Sequence, residues 1–102
     1  MIVNINLANY DEYINNNDLV ILEFGAMWCS PCKILEKILK EIEEENNNIT
    51  IGKVDIESSP DIAMKFGIMS VPSMVIIKNT QVIEKINGLK DKEFIEKLIN
   101  RI

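Results

Sequence analysis

Residues Leu19–Gly25 read LVILEFG, and this run limits the possible folds more than any other part of the chain. Only Glu23 is polar, and there is no alternation of apolar and polar residues, so a strand formed here is covered on both faces. Cover on both faces means helices on either side of a sheet, reached through crossover connections. The rest of the chain has patterns that supply them. Ile2–Asn6 suits a short first strand, and Asn9 is placed to cap a helix running to about Asn16, with Tyr10, Tyr13 and Ile14 on one side. Ile34, Leu35, Ile38, Leu39 and Ile42 recur at helical spacing in a segment ending near Glu45. ITIGKVDI (Ile49–Ile56) alternates as a third strand. Ser59 before Pro60 opens a short helix ending near Phe66 and Gly67.

SMVIIK (Ser73–Lys78) and QVIEKI (Gln81–Ile86) flank Asn79-Thr80 and read as a hairpin. Asp91 caps a last helix with Phe94, Ile95, Leu98, Ile99 and Ile102 facing inward. The clusters Asn15–Asn17 and Asn46–Asn48 read as turns, and no linker or internal repeat interrupts the pattern. The order β-α-β-α-β-α-β-β-α predicts an α/β fold with three layers, α/β/α: a central five-stranded mixed sheet and four helices, in one domain over residues 1–102. Glu41 and Glu43–Glu45 make an acidic helix end, unfavourable against the helix dipole and expected to be solvated surface.

A formal net charge of −5 argues against nucleic acid as a partner, since phosphate attraction needs a basic surface. No apolar run approaches the ~18 residues that a membrane span needs. MIVNINLAN lacks a basic leader and its apolar residues are interrupted by asparagines, so it does not read as a signal peptide, and the cytoplasm is the expected location. The only two cysteines lie in WCSPCK, as Cys29 and Cys32. They could be half of a metal site, a structural staple or a redox couple. Histidine is absent, and structural zinc takes four N or S ligands, so a zinc site would have to be shared between chains. A bridge across two residues removes little chain entropy, and cytosolic thiol pools keep cysteines reduced. The redox couple leads.

On the pattern above, the pair lies where a buried strand meets the start of a helix. Free backbone N–H groups and the positive end of the dipole gather there and stabilise a thiolate. Pro31 suits a first helical turn. Cys29, on the approach to the helix, is expected to be exposed and to attack; Cys32, inside the first turn, is expected to resolve. Trp28 beside them suits a partner-binding surface.

WCSPCK resembles the W-C-G-P-C-K of the thioredoxin family, KVDIESSPDIAMKFGI its third strand and following helix, and VPS its cis-proline tripeptide. KINGL stands where the family carries a glycine near the end of its last strand. The resemblance covers nearly the whole chain. It implies a dithiol electron carrier that reduces protein disulfides through a Cys29 mixed disulfide resolved by Cys32. No bound cofactor or metal is implied, only the redox-active Cys29–Cys32 disulfide. The implied partners are disulfide-containing proteins and a thioredoxin reductase, with the chain itself a monomer. By the same resemblance Glu23 stands where the family carries a buried aspartate, and would take the proton from Cys32. Lys53 stands at the family's lysine position, beside Glu23 across the sheet, as a modulator. Pro72 would be cis and face the cysteines. Trp28, Ser30, Pro31, Val71, Pro72 and Gly88 would make the substrate-facing rim.

The chain also departs from the family's pattern. Ser30 replaces a glycine, and Gly25 replaces a tryptophan and should loosen packing behind the site. Lys37 replaces a helix-kinking proline, and Asn87 is polar where the family's docking surface is commonly apolar. These departures motivate an alternative, a specialised thioredoxin-like protein serving one partner or an unusual reductase. A non-catalytic binding module on the same fold is a third reading, against which the intact cysteine pair speaks.

Overall fold

The computed structural model describes residues 1–102. Strands and helices follow in the order β1 (Val3–Asn4), α1 (Leu7–Asn15), β2 (Leu19–Gly25), α2 (Ser30–Glu45), β3 (Thr50–Asp55), α3 (Pro60–Lys65), β4 (Ser73–Lys78), β5 (Gln81–Asn87) and α4 (Lys92–Asn100). The sheet order is β1-β3-β2-β4-β5. The apolar run is β2, at the centre, parallel to β3 and antiparallel to β4. All seven of its residues are buried, as its composition requires.

Alternation along β2 divides the core in two. Ile21 joins Ile51 and Ile76 under α2 and α4, which contribute Leu35, Leu39, Ile42, Ile95 and Leu98. Val20, Leu22 and Phe24 point the other way, toward Ile14 of α1 and Ile62 and Ala63 of α3. The β4–β5 turn has positive φ at Asn79 and Thr80, 49° and 68°, the left-handed pair that suits a two-residue hairpin between twisted strands.

Several boundaries differ from the expectation. Asn6, not Asn9, caps α1: its side chain accepts from the N–H groups of Ala8 and Asn9, while Asn9 Oδ1 accepts from the Asn6 N–H at 2.8 Å. Two asparagines three apart form a reciprocal capping box, and the first is the cap. Phe94 does not join the core; it is 43% exposed, with the Lys90 ammonium 5.3 Å from its ring centroid. The acidic end of α2 is not merely solvated, because Lys92 at the start of α4 places its Nζ 2.7 Å from Glu45 and 4.0 Å from Glu41. That cation sits near the helix C-terminus, where the dipole favours positive charge.

Candidate redox site

At the junction of β2 and α2, Cys29 is the N-cap of the helix, and its sulfur accepts a hydrogen bond from the Cys32 N–H at 3.2 Å. Pro31 lies in the first turn, where a missing N–H leaves no bond unmade. Cys29 and Cys32 are joined in a disulfide with their Cα atoms 5.3 Å apart. The expected exposure of Cys29 is corrected here: it is 4% exposed and Cys32 5%. Capping turns the Cys29 side chain back over the helix start, and Ala26, Ile56 and Val71 pack around the pair. What reaches solvent is the border, Trp28, Ser30 and Pro31, with Met27 also exposed just before them in the chain.

The Val71-Pro72 peptide bond is cis. Val71 is half-buried against the cysteines and Pro72 is buried. Gly88, with φ of +87°, donates its N–H to the Pro72 carbonyl at 2.8 Å, which ties the end of β5 to the proline loop. Asn87 belongs to the same tie: the Ser73 hydroxyl lies 2.8 Å from the Ser70 carbonyl and 3.2 Å from Asn87 Oδ1. Its polarity thus has a local structural partner, in addition to changing the outer surface.

Beneath the disulfide lies an acid. Glu23 is 1% exposed, and neither of its carboxylate oxygens has a hydrogen-bond partner. Burial first, and then the like charge of Glu36, push its pKa up to about 7, with Lys53 opposing. Lys53 is its register partner on β3, as the resemblance implies, but the ammonium does not pair with Glu23. Instead Lys53 Nζ donates to both oxygens of Glu36 on α2, at 2.9 and 3.0 Å. Sequence reading missed Glu36. Its one signal is position: four residues after Cys32, it lies one turn further along the same side of α2.

Glu23, Gly25, Cys32, Lys33, Glu36 and Lys53 line one cleft of about 340 Å³. Gly25 does not simply loosen the packing there. A β-carbon on it would lie 3.2 Å from Cys32 Cβ and 3.3 Å from its sulfur, so the bare backbone is what lets β2 pass this close to the resolving cysteine. No group of three or more His, Cys, Asp or Glu side chains is arranged to hold a metal ion. No helix is long and apolar enough to cross a membrane.

A cysteine pair bonded at a helix N-terminus beside a cis-proline, on a mixed sheet covered by helices on both faces, defines a thiol–disulfide oxidoreductase. The family model described as Thioredoxin matches residues 1–101. The thioredoxin of Chlamydia caviae is 35% identical over 101 residues, covering 99% of this chain and 98% of that protein. The thioredoxin of Chlamydia trachomatis is 41% identical over 83 residues, 81% of each chain. The structure of a mutant thioredoxin from Halobacterium salinarum matches with a TM-score of 0.92 at 26% identity, covering 98% of this chain and 88% of that one. This chain belongs to the thioredoxin family. Its activity is that of a thioredoxin-type dithiol reductase of disulfides, and its redox-active group is the Cys29–Cys32 disulfide.

Proposed function

We propose that the two cysteines divide disulfide reduction between them, and that Glu23 accepts the proton that separates the two halves. In the reduced protein, the Cys29 thiolate attacks one sulfur of a substrate disulfide. A Cys29–substrate disulfide forms and the other substrate sulfur leaves as a thiolate. The Cys32 thiol then gives its proton to the Glu23 carboxylate and attacks the Cys29 sulfur. The Cys29–Cys32 bond forms, the second substrate sulfur leaves, and two electrons have passed to the substrate. A thioredoxin reductase returns them.

The observation carrying this reading is the asymmetry of the pair. The Cys29 sulfur accepts the Cys32 N–H at the helix start, an arrangement that stabilises a thiolate. The Cys32 side shares a cleft with an unpaired acid whose pKa, about 7, suits a base working near neutrality. Exposed Trp28, Ser30 and Pro31, together with Val71, Pro72 and Gly88, form the rim that receives the substrate chain, a proposal supported by their grouping around the disulfide. On this reading the chain works as a monomer in the cytoplasm.

Two measurements test the assignment. Alkylation of the reduced protein near neutral pH should label Cys29 well before Cys32, and a Cys32→Ser variant should accumulate mixed disulfides through Cys29. Equal labelling rates, or Cys32 reacting first, overturn the division of roles. Turnover of a general disulfide substrate with a standard thioredoxin reductase separates a general reductase from a protein dedicated to one partner.

A further inference from the structure

A lysine opposite a buried acid has an obvious partner, and here it goes elsewhere. Glu23 and Lys53 are register partners on parallel neighbours, with backbones about 4.8 Å apart. Both project to the α2 side of the sheet, and both line the cleft that ends at Cys32. A lysine stem spans that separation easily, so an ion pair between the two is within reach. The ammonium instead lies between both oxygens of Glu36. The Lys53 and Glu36 side chains are 40% and 29% exposed, against 1% for Glu23 as a residue. Pairing at the cleft mouth leaves the ammonium partly hydrated; pairing with Glu23 would strip both charges of water.

We propose that Glu36 is a positioning residue: it holds the Lys53 ammonium at the mouth of the cleft and keeps it off Glu23, which is left unpaired behind Cys32. This rests on the reading of Glu23 as the proton acceptor for its functional meaning, though not for its geometry. The groups facing Glu23 are few. From α2 come Cys32, exposed Lys33 and Glu36, and from β3 comes Lys53. Its β4 register partner is Met74, and α4 offers this side of the core only Ile95 and Leu98 among its buried residues. Glu36 therefore acts on Glu23 in two ways that add. Its own negative charge disfavours a second carboxylate, and it occupies the ammonium of Lys53, the register partner of Glu23 and the cation that acts on it. Both keep the proton on Glu23 to higher pH, near the range where a thiol must be deprotonated.

The test is a direct titration of the Glu23 carboxyl carbon by NMR in the intact protein. Glu36→Gln should lower its midpoint by about half a unit or more, a roughly threefold loss of proton affinity. Glu36→Lys should lower it further, while Glu36→Asp, which retains the charge, should hold it close to the starting value. In a Lys53→Met background, the effect of Glu36→Gln should fall to half or less, because only the like-charge part remains. An unmoved or raised midpoint in Glu36→Gln overturns the proposal. An equal shift with and without Lys53 overturns the capture of the ammonium. The pH profile of mixed-disulfide resolution is the separate readout for Glu23. A midpoint that falls while this profile stays put leaves the linkage of the three residues standing and overturns the role of Glu23 as base.

Discussion

The two faces of β2 are built from one heptapeptide and do different work. Toward α1 and α3 it presents Val20, Leu22 and Phe24, all fully buried, against Val54, Ile62 and Phe66. Toward α2 and α4 it presents Leu19 and Ile21, then Glu23 and Gly25 as the strand nears the cysteines. One face buries hydrocarbon throughout. The other gives up apolar contact over its last stretch for an unpaired acid and a missing side chain. Burying a polar group without a partner costs about 1–3 kcal/mol by mutational measures, so the second face is less stable than the fold alone would permit. Functional sites commonly carry such a local conflict, with the rest of the core compensating. Changes on the first face should therefore move stability with little effect on proton chemistry, and changes on the second should alter proton chemistry.

The largest stability effect is expected on the apolar face. Phe24 is fully buried and meets the Phe66 ring edge-on, with centroids 5.9 Å apart. Phe24→Ala should cost about 3–5 kcal/mol, measured by denaturant unfolding. The folded fraction should keep the pH profile of disulfide reduction unchanged. A loss below about 1 kcal/mol would mean that this face repacks freely, and the contrast with the other would weaken.

Glu23→Leu probes the opposite face at the preceding residue and should have the opposite sign. The folded pKa of Glu23, about 7, stands above the unfolded value of 4.5, so the folded state holds the extra proton between those values. Stability is then lost as pH rises from 4.5 to 7, and the penalty is complete above that range. It amounts to about 3 kcal/mol at most. Lys53 is engaged by Glu36 and partly exposed, so removing Glu23 strands no buried ammonium. The variant should be more stable than the parent by up to about 3 kcal/mol at pH 8, with the gain from this source vanishing below about pH 4.5. Resolution of the mixed disulfide should slow by about a hundredfold. A stability difference that does not vary with pH would show that Glu23 titrates normally.

Much of this architecture is legible in the sequence, for physical reasons that also mark the limits. β2 declares itself because an uninterrupted apolar run has few alternatives, and Glu23 stands out because it interrupts that run. The hairpin is legible because two strand-like runs flank the two residues Asn79-Thr80; Asn79 accepts the positive φ of a tight turn, whereas β-branched Thr80 at φ 68° does so against its preference. The cis bond before Pro72 comes from family resemblance, as a Val-Pro sequence alone favours trans. The misreadings concern side-chain competition. Asn6 and Asn9 can each cap a helix, and only the reciprocal bonds decide between them. Phe94 lies next to the buried Ile95 on α4, and one step along a helix turns a side chain away by about 100°, enough to leave the core. Cys29 is a flanking residue in one dimension and is covered by Val71 in three. Glu36 is one acid among many on a charged helix, and nothing but the sheet register brings Lys53 to it.

Lys53 and Val54 offer the finest version of the comparison, because adjacent residues of β3 point to opposite faces. Val54 is fully buried among the apolar set, and Val54→Ala should cost about 2 kcal/mol with no change in the Glu23 titration. Lys53→Met removes a partly exposed ion pair, so its effect on stability should stay below about 1 kcal/mol. Its effect on Glu23 should nonetheless be visible. The ammonium is the one group holding the Glu23 pKa down, against burial and Glu36, so removing it should move the midpoint upward from about 7. The pH at which resolution reaches half its maximal rate should rise with it. The two variants, measured by unfolding and by the same carboxyl titration, should thus have their larger effects in opposite columns. A Lys53→Met midpoint that stays in place would mean that the ammonium at the cleft mouth is screened from Glu23 by water. The division of β2 into a stabilising face and a proton-handling face would then end at Glu23 itself, with no support from β3.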